Sequence, residues 1–383
     1  MNHLSARLAL MFGNFVIGVA IIGIAGMLPN LATGLGVSIQ QAGFLVTAGA
    51  IVLCIGSPLT VWATAAIDRR RLLAASLLIL AVGHLVSALA PGYDTLLVLR
   101  VLMMVAAALF TPVAAATIAA IVAPEERASG ITFVFLGWSL AAAAGLPAVA
   151  VLAEYAGWRP TFAAMGVALL LCAAFVFRVL PTGLRGAPIA LGSWGTLALN
   201  RFVVTLLLLT VAQIAGQFTV FTYLAPLMKR LASADVAAIG LFFSIYGVMG
   251  FVGNVIATRV VTTRGPFATS GVALFSILFG LTLWSVGAGA LIVMGVGVAF
   301  WGLGFAAINS MQQARLVGAI PALGAAAVAL NTSGIYVGQA IGSALGGFLY
   351  ANDLPRALGY TAMIFVGLSI ALLATTRGPH PPA

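Results

Sequence analysis

Apolar residues fill this chain almost without interruption, and the few charges punctuate them at wide intervals. Arg7 and Asp68 enclose sixty uncharged residues, enough for two helices, with a turn across Pro29–Gly36. Single intervals follow: Arg71 to Asp94, Arg100 to Glu125, Arg127 to Glu154 and Arg159 to Arg178. In the second half, Arg201 to Lys229 and Asp235 to Arg259 hold one helix each. Arg264 and Arg315 enclose fifty residues, room for two helices with a turn at Gly287–Gly289. Arg315 to Asp353 and Arg356 to Arg377 hold one each. A charge at mid-bilayer costs several kcal/mol, so uncharged runs of ~20 residues mark spans. The pattern predicts twelve. Continuous apolar runs of this length are helices, because barrel strands are ~10 residues long and alternate in character.

Composition supports the pattern. Of 383 residues, 63% are hydrophobic and only 6% charged, against roughly 25% charged in soluble domains. That excludes a soluble enzyme, a disordered chain and a secreted disulfide scaffold. The net charge of +10 does not point to nucleic acid, because the basic residues separate apolar segments instead of clustering on a polar face. With twelve spans both termini share one side. Twelve arginines fall on that side and four basic residues on the other. Cytoplasmic loops carry such an excess, so both termini are expected in the cytoplasm. Cys54 and Cys172 lie in apolar runs and suggest neither a disulfide nor a metal site. No cofactor and no catalytic acid–base pair are indicated. The Arg-, Ala- and Gly-rich composition fits a bacterium with a GC-rich genome, and hence its plasma membrane.

The two halves repeat. Adding 197 maps Pro29 to Pro226, Gly56 to Gly253, Gly83 to Gly280, Pro124 to Pro321, Gly137 to Gly334, Gly145 to Gly342 and Arg159 to Arg356. The expected architecture is an all-α integral membrane protein of twelve helices in two parallel six-helix repeats. Residues 1–180 form one half, 181–201 a cytoplasmic linker and 202–383 the other. Parallel repeats of this kind place a substrate near mid-membrane between them.

Local motifs accompany the repeat. Ile67-Asp68-Arg69-Arg70-Arg71 follows the second span, and Leu99-Arg100-Val101 opens the fourth. Gly145-Leu146-Pro147 and then Gly157-Trp158-Arg159 mark the fifth. The seventh reads Gly216-Gln217-Phe218 through Ala225-Pro226, and the eleventh holds Asn331-Thr332-Ser333 and Gly338-Gln339. In this order the chain resembles the major facilitator superfamily over nearly its whole length, in particular the twelve-span drug:proton antiporter branch and its arabinose-efflux-like permeases. The resemblance implies a secondary transporter that exports small organic compounds (drugs, sugars or nucleobases) by alternating access, in exchange for protons. The partners are then a small molecule, protons and the lipid bilayer, with no nucleic acid, and a monomer suffices.

The resemblance places spans one, four, seven and ten around the substrate. Asn14, Arg100, Gln213, Gln217, Tyr223, Trp301 and Asn309 are the residues expected there. Gln213 and Gln217, four apart, share a helix face. Asp68 and Arg71 are expected to gate, together with Gly145 and Pro147, which permit close approach and bending. Relatives carry an acid in the first span, and the alignment puts that position at Ala20 or Ile21, which cannot titrate. Asp94, expected near Arg100, is therefore the first candidate for proton coupling, followed by Glu154 and His84. The alternative is an uncoupled facilitator or a substrate exchanger.

Overall fold

A computed structural model describes residues 3–123, 126–185, 191–320 and 323–377. The repeat pair Pro124 and Pro321, and the charge at Glu125, lie outside the described residues. All regular structure among the described residues is helical. The chain divides into two compact units, Met1–Pro188 and Ile189–Ala383.

In the first unit the spans are His3–Gly26, Ile39–Ala63, Arg69–Ser87 and Tyr93–Ile121, then a fifth from Arg127 to Ala156, and Trp158–Val179. In the second unit the seventh is Arg201–Phe221. Val236–Val286 is one continuous helix of 51 residues with a non-helical Gly265 (φ 72) followed by Pro266. It therefore supplies two crossings, 236–264 and 266–286. Leu291–Ala319, Gly324–Ala351 and Ala357–Ala374 complete the twelve. Ten of these helices are long and apolar enough to cross a bilayer, the 51-residue helix counting once. Gly324–Ala351 is not among them, yet its 28 residues reach about 42 Å, more than a hydrocarbon core of about 30 Å. Its polar Asn331, Gln339 and Ser343 are buried and so lie away from lipid; Asn331 Oδ1 accepts from Thr210, and Ser343 bonds to Thr222 and Tyr223.

The turn expected across Pro29–Gly36 is instead a further short helix, Leu28–Leu35. The first span breaks at Met27, Pro29 sits in the new helix's opening turn where its missing N–H is not needed, and Gly36 (φ 65) ends it. The seventh span has the same extension, Leu224–Ala232. Each extension is clipped to a neighbouring helix end: Asn30 Nδ2 donates to Glu154 at 3.2 Å, and Arg230 pairs with Asp353. Within the expected linker, Leu191–Leu199 is helical.

The outward faces are apolar. Ile292, Leu89 and Ile364 are 84%, 81% and 72% exposed, which suits lipid and would aggregate in water. Lipid gives no hydrophobic drive between helices, so close packing of small residues must hold them. The repeated glycines do this in both units. A β-carbon on Gly137 would lie 2.3 Å from the Met11 carbonyl oxygen, and one on Gly145 2.3 Å from Val19. Their partners at +197, Gly334 and Gly342, meet Leu207 and Ala215 of the seventh span. First packs on fifth as seventh packs on eleventh. Gly83 faces Met103 of the fourth span; Gly280 faces Gly297 and Trp301 of the tenth. The sequence repeat is thus a repeat of helix contacts.

The fifth span contains a π-helical turn, Ala141–Gly145, directly before Leu146 and Pro147. Proline cannot donate to the preceding turn, and the wider π turn absorbs the irregularity.

Asp68 caps the third span. Its Oδ1 accepts from the Arg71 backbone N–H at 3.2 Å, and its Oδ2 accepts from the Gly183 N–H at 2.5 Å. Arg69 adds two bonds, from its N–H to Leu184 O (2.8 Å) and from Nη1 to Ala116 O (2.6 Å). The turn after the second span is therefore tied to the segment after the sixth. Partial burial pushes the Asp68 carboxyl up, but the backbone bonds from Gly183, Arg71 and Arg70, with the Arg71 charge, outweigh it and hold it below its ordinary value.

Two outcomes are expected. Gly280→Val would press a side chain against the Gly297 carbonyl, 2.4 Å from the β-carbon position, and should abolish the monodisperse folded peak or lower the melting temperature sharply. Gly367→Val, with nothing within 4 Å, should leave both unchanged. Secondly, Asp68 stays ionised to lower pH in the folded chain than in the unfolded one. Its stabilisation is complete above the ordinary carboxyl value of about 4 and fades as pH falls through the lower folded value. The difference in melting temperature between wild type and Asp68→Asn should be constant from pH 7 to 5 and shrink below that. A difference independent of pH down to 3 contradicts the assignment.

Candidate functional site

In the first unit, polar side chains on the first, fourth and fifth spans meet in the apolar interior. Asn14 is fully buried. Its Nδ2 donates to Val134 O at 3.1 Å, and its Oδ1 accepts from Thr111 Oγ1 at 2.8 Å. Trp138 Nε1 donates to Thr111 Oγ1 at 3.3 Å. Both functions of the amide are thus engaged, as burial demands.

Arg100 lies two turns into the fourth span and is 1% exposed. Among the described residues no carboxylate meets it. Nη1 donates to Ala20 O and Nη2 to Ile21 O, each at 2.6 Å, and Nε reaches Leu45 O at 3.4 Å. Gly49 makes room: a β-carbon there would lie 3.1 Å from Arg100 Nε. The guanidinium therefore binds the very stretch of the first span, Ala20–Ile21, where an acid was expected and is missing. A cation held by carbonyl dipoles takes the place of a titratable anion.

The proton-coupling candidates are scattered. Asp94 is exposed in the opening turn of the fourth span and makes no bond to Arg100. Glu154 is exposed at the end of the fifth span, beside Asn30. His84 is fully buried between the third and sixth spans; its Nδ1 is bonded to Leu80 O at 2.8 Å and its ring lies 5.7 Å from that of Phe162. Of the expected gating residues, Asp68 holds backbone N–H groups as described, while the Arg71 side chain projects into the open. Gly145 abuts the first span through Val19.

In the second unit, four of the five residues expected at the site form one continuous chain. Trp301 Nε1 donates to Gln217 Oε1 at 2.8 Å. Gln217 Nε2 donates to Gln213, to its carbonyl oxygen at 3.2 Å and to its Oε1. Gln213 Nε2 donates to Asn309 Oδ1 at 3.1 Å, and Asn309 Nδ2 donates to Phe305 O at 3.0 Å. The chain runs between the seventh and tenth spans. Trp301, Gln217 and Gln213 are fully buried, and Asn309 is half-buried at its end. Tyr223 is placed elsewhere: its hydroxyl donates to Ser343 O at 3.0 Å and its ring stacks on Tyr350, binding the seventh span to the eleventh.

Sequence reasoning missed the aromatic wall around this chain. Tyr246 of the eighth span lies 5.1 Å from the Trp301 ring, 5.0 Å from Phe221 and 5.4 Å from Phe305. It also missed Ser310, which donates to Asn254 Oδ1 at 2.7 Å, and the Thr111–Trp138 pair. Apolar spans rich in aromatics offer no sequence signal that would single these out. Chemically, the amide chain offers neutral donors and acceptors beside flat apolar faces. Each amide nitrogen carries two N–H groups and each oxygen two lone pairs, so half-buried Asn309 retains capacity for a further hydrogen-bonding group.

Comparison with known proteins agrees with this architecture. The chain is 28% identical over 370 residues to the inner membrane transport protein YdhP of Escherichia coli K12, covering 96% of this chain and 93% of that one. It is 27% identical over 344 residues to a protein named "Probable sugar efflux transporter" from Mannheimia succiniciproducens, covering 89% and 84%. Among solved structures it superposes on a D-xylose-proton symporter with a TM-score of 0.78 at 17% identity, covering 98% of each chain. On the human organic anion transporter MFSD10 the TM-score is 0.76 at 16% identity, covering 97% and 100%. The sequence model of the Major Facilitator Superfamily matches residues 10–326. Twelve helical spans, the repeated packing and this match together establish that the chain belongs to the Major Facilitator Superfamily of multi-pass membrane transporters.

Proposed function

We propose that the chain exports small neutral organic compounds carrying hydroxyl or amide groups, of the sugar or nucleobase class, by alternating access. The carrying observation is the uncharged chain Trp301–Gln217–Gln213–Asn309 against the aromatic wall of Tyr246 and Phe305. Amides match hydroxyl and amide groups one donor to one acceptor, and aromatic faces cover the apolar side of a ring. The Arg100 guanidinium is taken up by the Ala20, Ile21 and Leu45 carbonyls, which leaves it committed to the protein and not to a charged substrate. The name of the Mannheimia relative supports export of sugars, and the E. coli relative supports the bacterial inner membrane. The arginine bias supports termini in the cytoplasm. Residues 181–201 serve as the connector, and a monomer suffices.

Proton exchange fits the resemblance to the antiporter branch, with Asp94, Glu154 and His84 as the residues to test. One observation favours a second reading, an uncoupled facilitator or exchanger. The first span has no acid, and the position expected for one faces a cation.

Counterflow in proteoliposomes tests the proposal. Liposomes preloaded with an unlabelled sugar or nucleobase should accumulate the labelled compound from outside. Gln217→Leu removes the acceptor for Trp301 and one donor to Gln213, a loss of about 1–3 kcal/mol per buried partner left unpaired, and should cut the initial rate at least about tenfold at unchanged protein content. Full activity in Gln217→Leu would place the substrate elsewhere. A pH-sensitive dye in the same vesicles separates the readings: acidification or alkalinisation driven by substrate means coupling, and its absence during net substrate efflux means an uncoupled facilitator or an exchanger.

A further inference from the structure

A second buried arginine lies far from the amide chain. Arg315, near the end of the tenth span, is 5% exposed. Its Nη2 donates to Thr376 Oγ1 at 2.5 Å and its Nη1 to Gln312 Oε1 at 3.3 Å. Its guanidinium lies 5.8 Å from the Phe202 ring and 5.5 Å from Phe267. Arg377 approaches the same Phe267 ring, also at 5.5 Å, and is exposed. Two cations thus converge on one ring, and among the described residues neither has an acidic partner. The second unit contains only two acids, Asp235 and Asp353. Both stand at the opposite ends of the spans: Asp235 caps the start of the eighth and Asp353 follows the eleventh. A span of 29 residues, such as the tenth, separates the two ends by about 40 Å.

Arg100 and Arg315 differ in an instructive way. The first is matched by three backbone carbonyls. The second has two neutral side-chain acceptors and two aromatic faces, although a buried guanidinium carries five N–H donors. Beside it is an unmet donor. Gln312 is fully buried, and its Nε2 has no hydrogen-bond partner, although its Oε1 accepts from Arg315. Arginine donors and an unpaired amide N–H side by side, with a second arginine at the exposed edge, are complementary to an oxyanion. Such a group would supply the missing countercharge and accept the orphan proton.

We propose that Arg315, Arg377 and the Gln312 amide form an anion site that takes a phosphate group, supplied either by the headgroup of an anionic phospholipid or by free phosphate. Basic pockets between span ends bind lipid headgroups by this chemistry. The site is independent of the substrate assignment, since it shares no residue with it.

Native mass spectrometry of the full chain in neutral detergent tests the proposal and reveals the source by mass. Phosphatidylglycerol, phosphatidylcholine and inorganic phosphate are added separately at equal concentration. Wild type should retain phosphatidylglycerol or phosphate well above phosphatidylcholine. Arg315→Gln should reduce the retained anion at least about fivefold, the loss of one charge-assisted hydrogen bond, with phosphatidylcholine unchanged. Gln312→Leu, which removes the orphan donor and keeps the arginine, should reduce it at least about twofold and gives the same readout if Arg315→Gln does not fold. Retention of phosphatidylglycerol alone assigns a lipid headgroup, and retention of phosphate assigns a free anion. No preference over phosphatidylcholine in wild type, or equal retention in wild type and both variants, overturns the proposal.

Discussion

The structure depends on one constraint: inside a bilayer no water is available, so a buried polar group left without a partner within the protein is costly. Arg100 shows how far that shapes the fold. Its guanidinium sits in the interior because the first span presents the Ala20 and Ile21 carbonyls and the second presents that of Leu45. Gly49 leaves the space it needs. Three spans are joined through one side chain. The same rule explains how the eleventh span can carry polar residues: Asn331 accepts from Thr210, and Ser343 meets Thr222 and Tyr223. Polarity on that helix is a helix–helix bond and not a break in the membrane span.

The constraint also separates two kinds of buried polar group. Asn14, Tyr223 and Arg100 bond to neighbouring helices, through backbone carbonyls or side chains that bind helices together. Gln213, Gln217, Trp301 and Asn309 instead bond to one another, in a chain that ends on a half-buried amide and lies against aromatic rings. A relay of neutral amides can exchange one partner for another at low cost. An ion pair in the same place could not, because breaking it would leave a charge unpaired in a dry interior. That difference is the physical basis for proposing a neutral substrate.

The spans and the repeat were legible because both arise from local constraints. Charges are excluded from lipid, so gaps between them count the helices. Glycines at an offset of 197 mark close approach, so Gly137 and Gly334 meet matching helices in their own units. The break at Met27 and the π turn at Ala141–Gly145 were not legible, since apolar residues on either side carry no period that would reveal a change of helix type. Site residues were legible only as candidates. Gln213 and Gln217 share a face by spacing alone, but the direction of Arg100 depends on carbonyls eighty residues away, and that of Tyr223 on a helix more than a hundred residues on. The aromatic wall at Tyr246 carried no signal at all.

Equilibrium binding measured by titration calorimetry tests the central claim most directly. A series of neutral sugars and nucleobases, and organic cations and anions of similar size, would be titrated into the purified chain and into Gln213→Leu. The account predicts heat from at least one neutral compound, lost in Gln213→Leu, and none from the ions. Saturable binding of a cation or anion that survives Gln213→Leu, with no neutral compound bound, would contradict it.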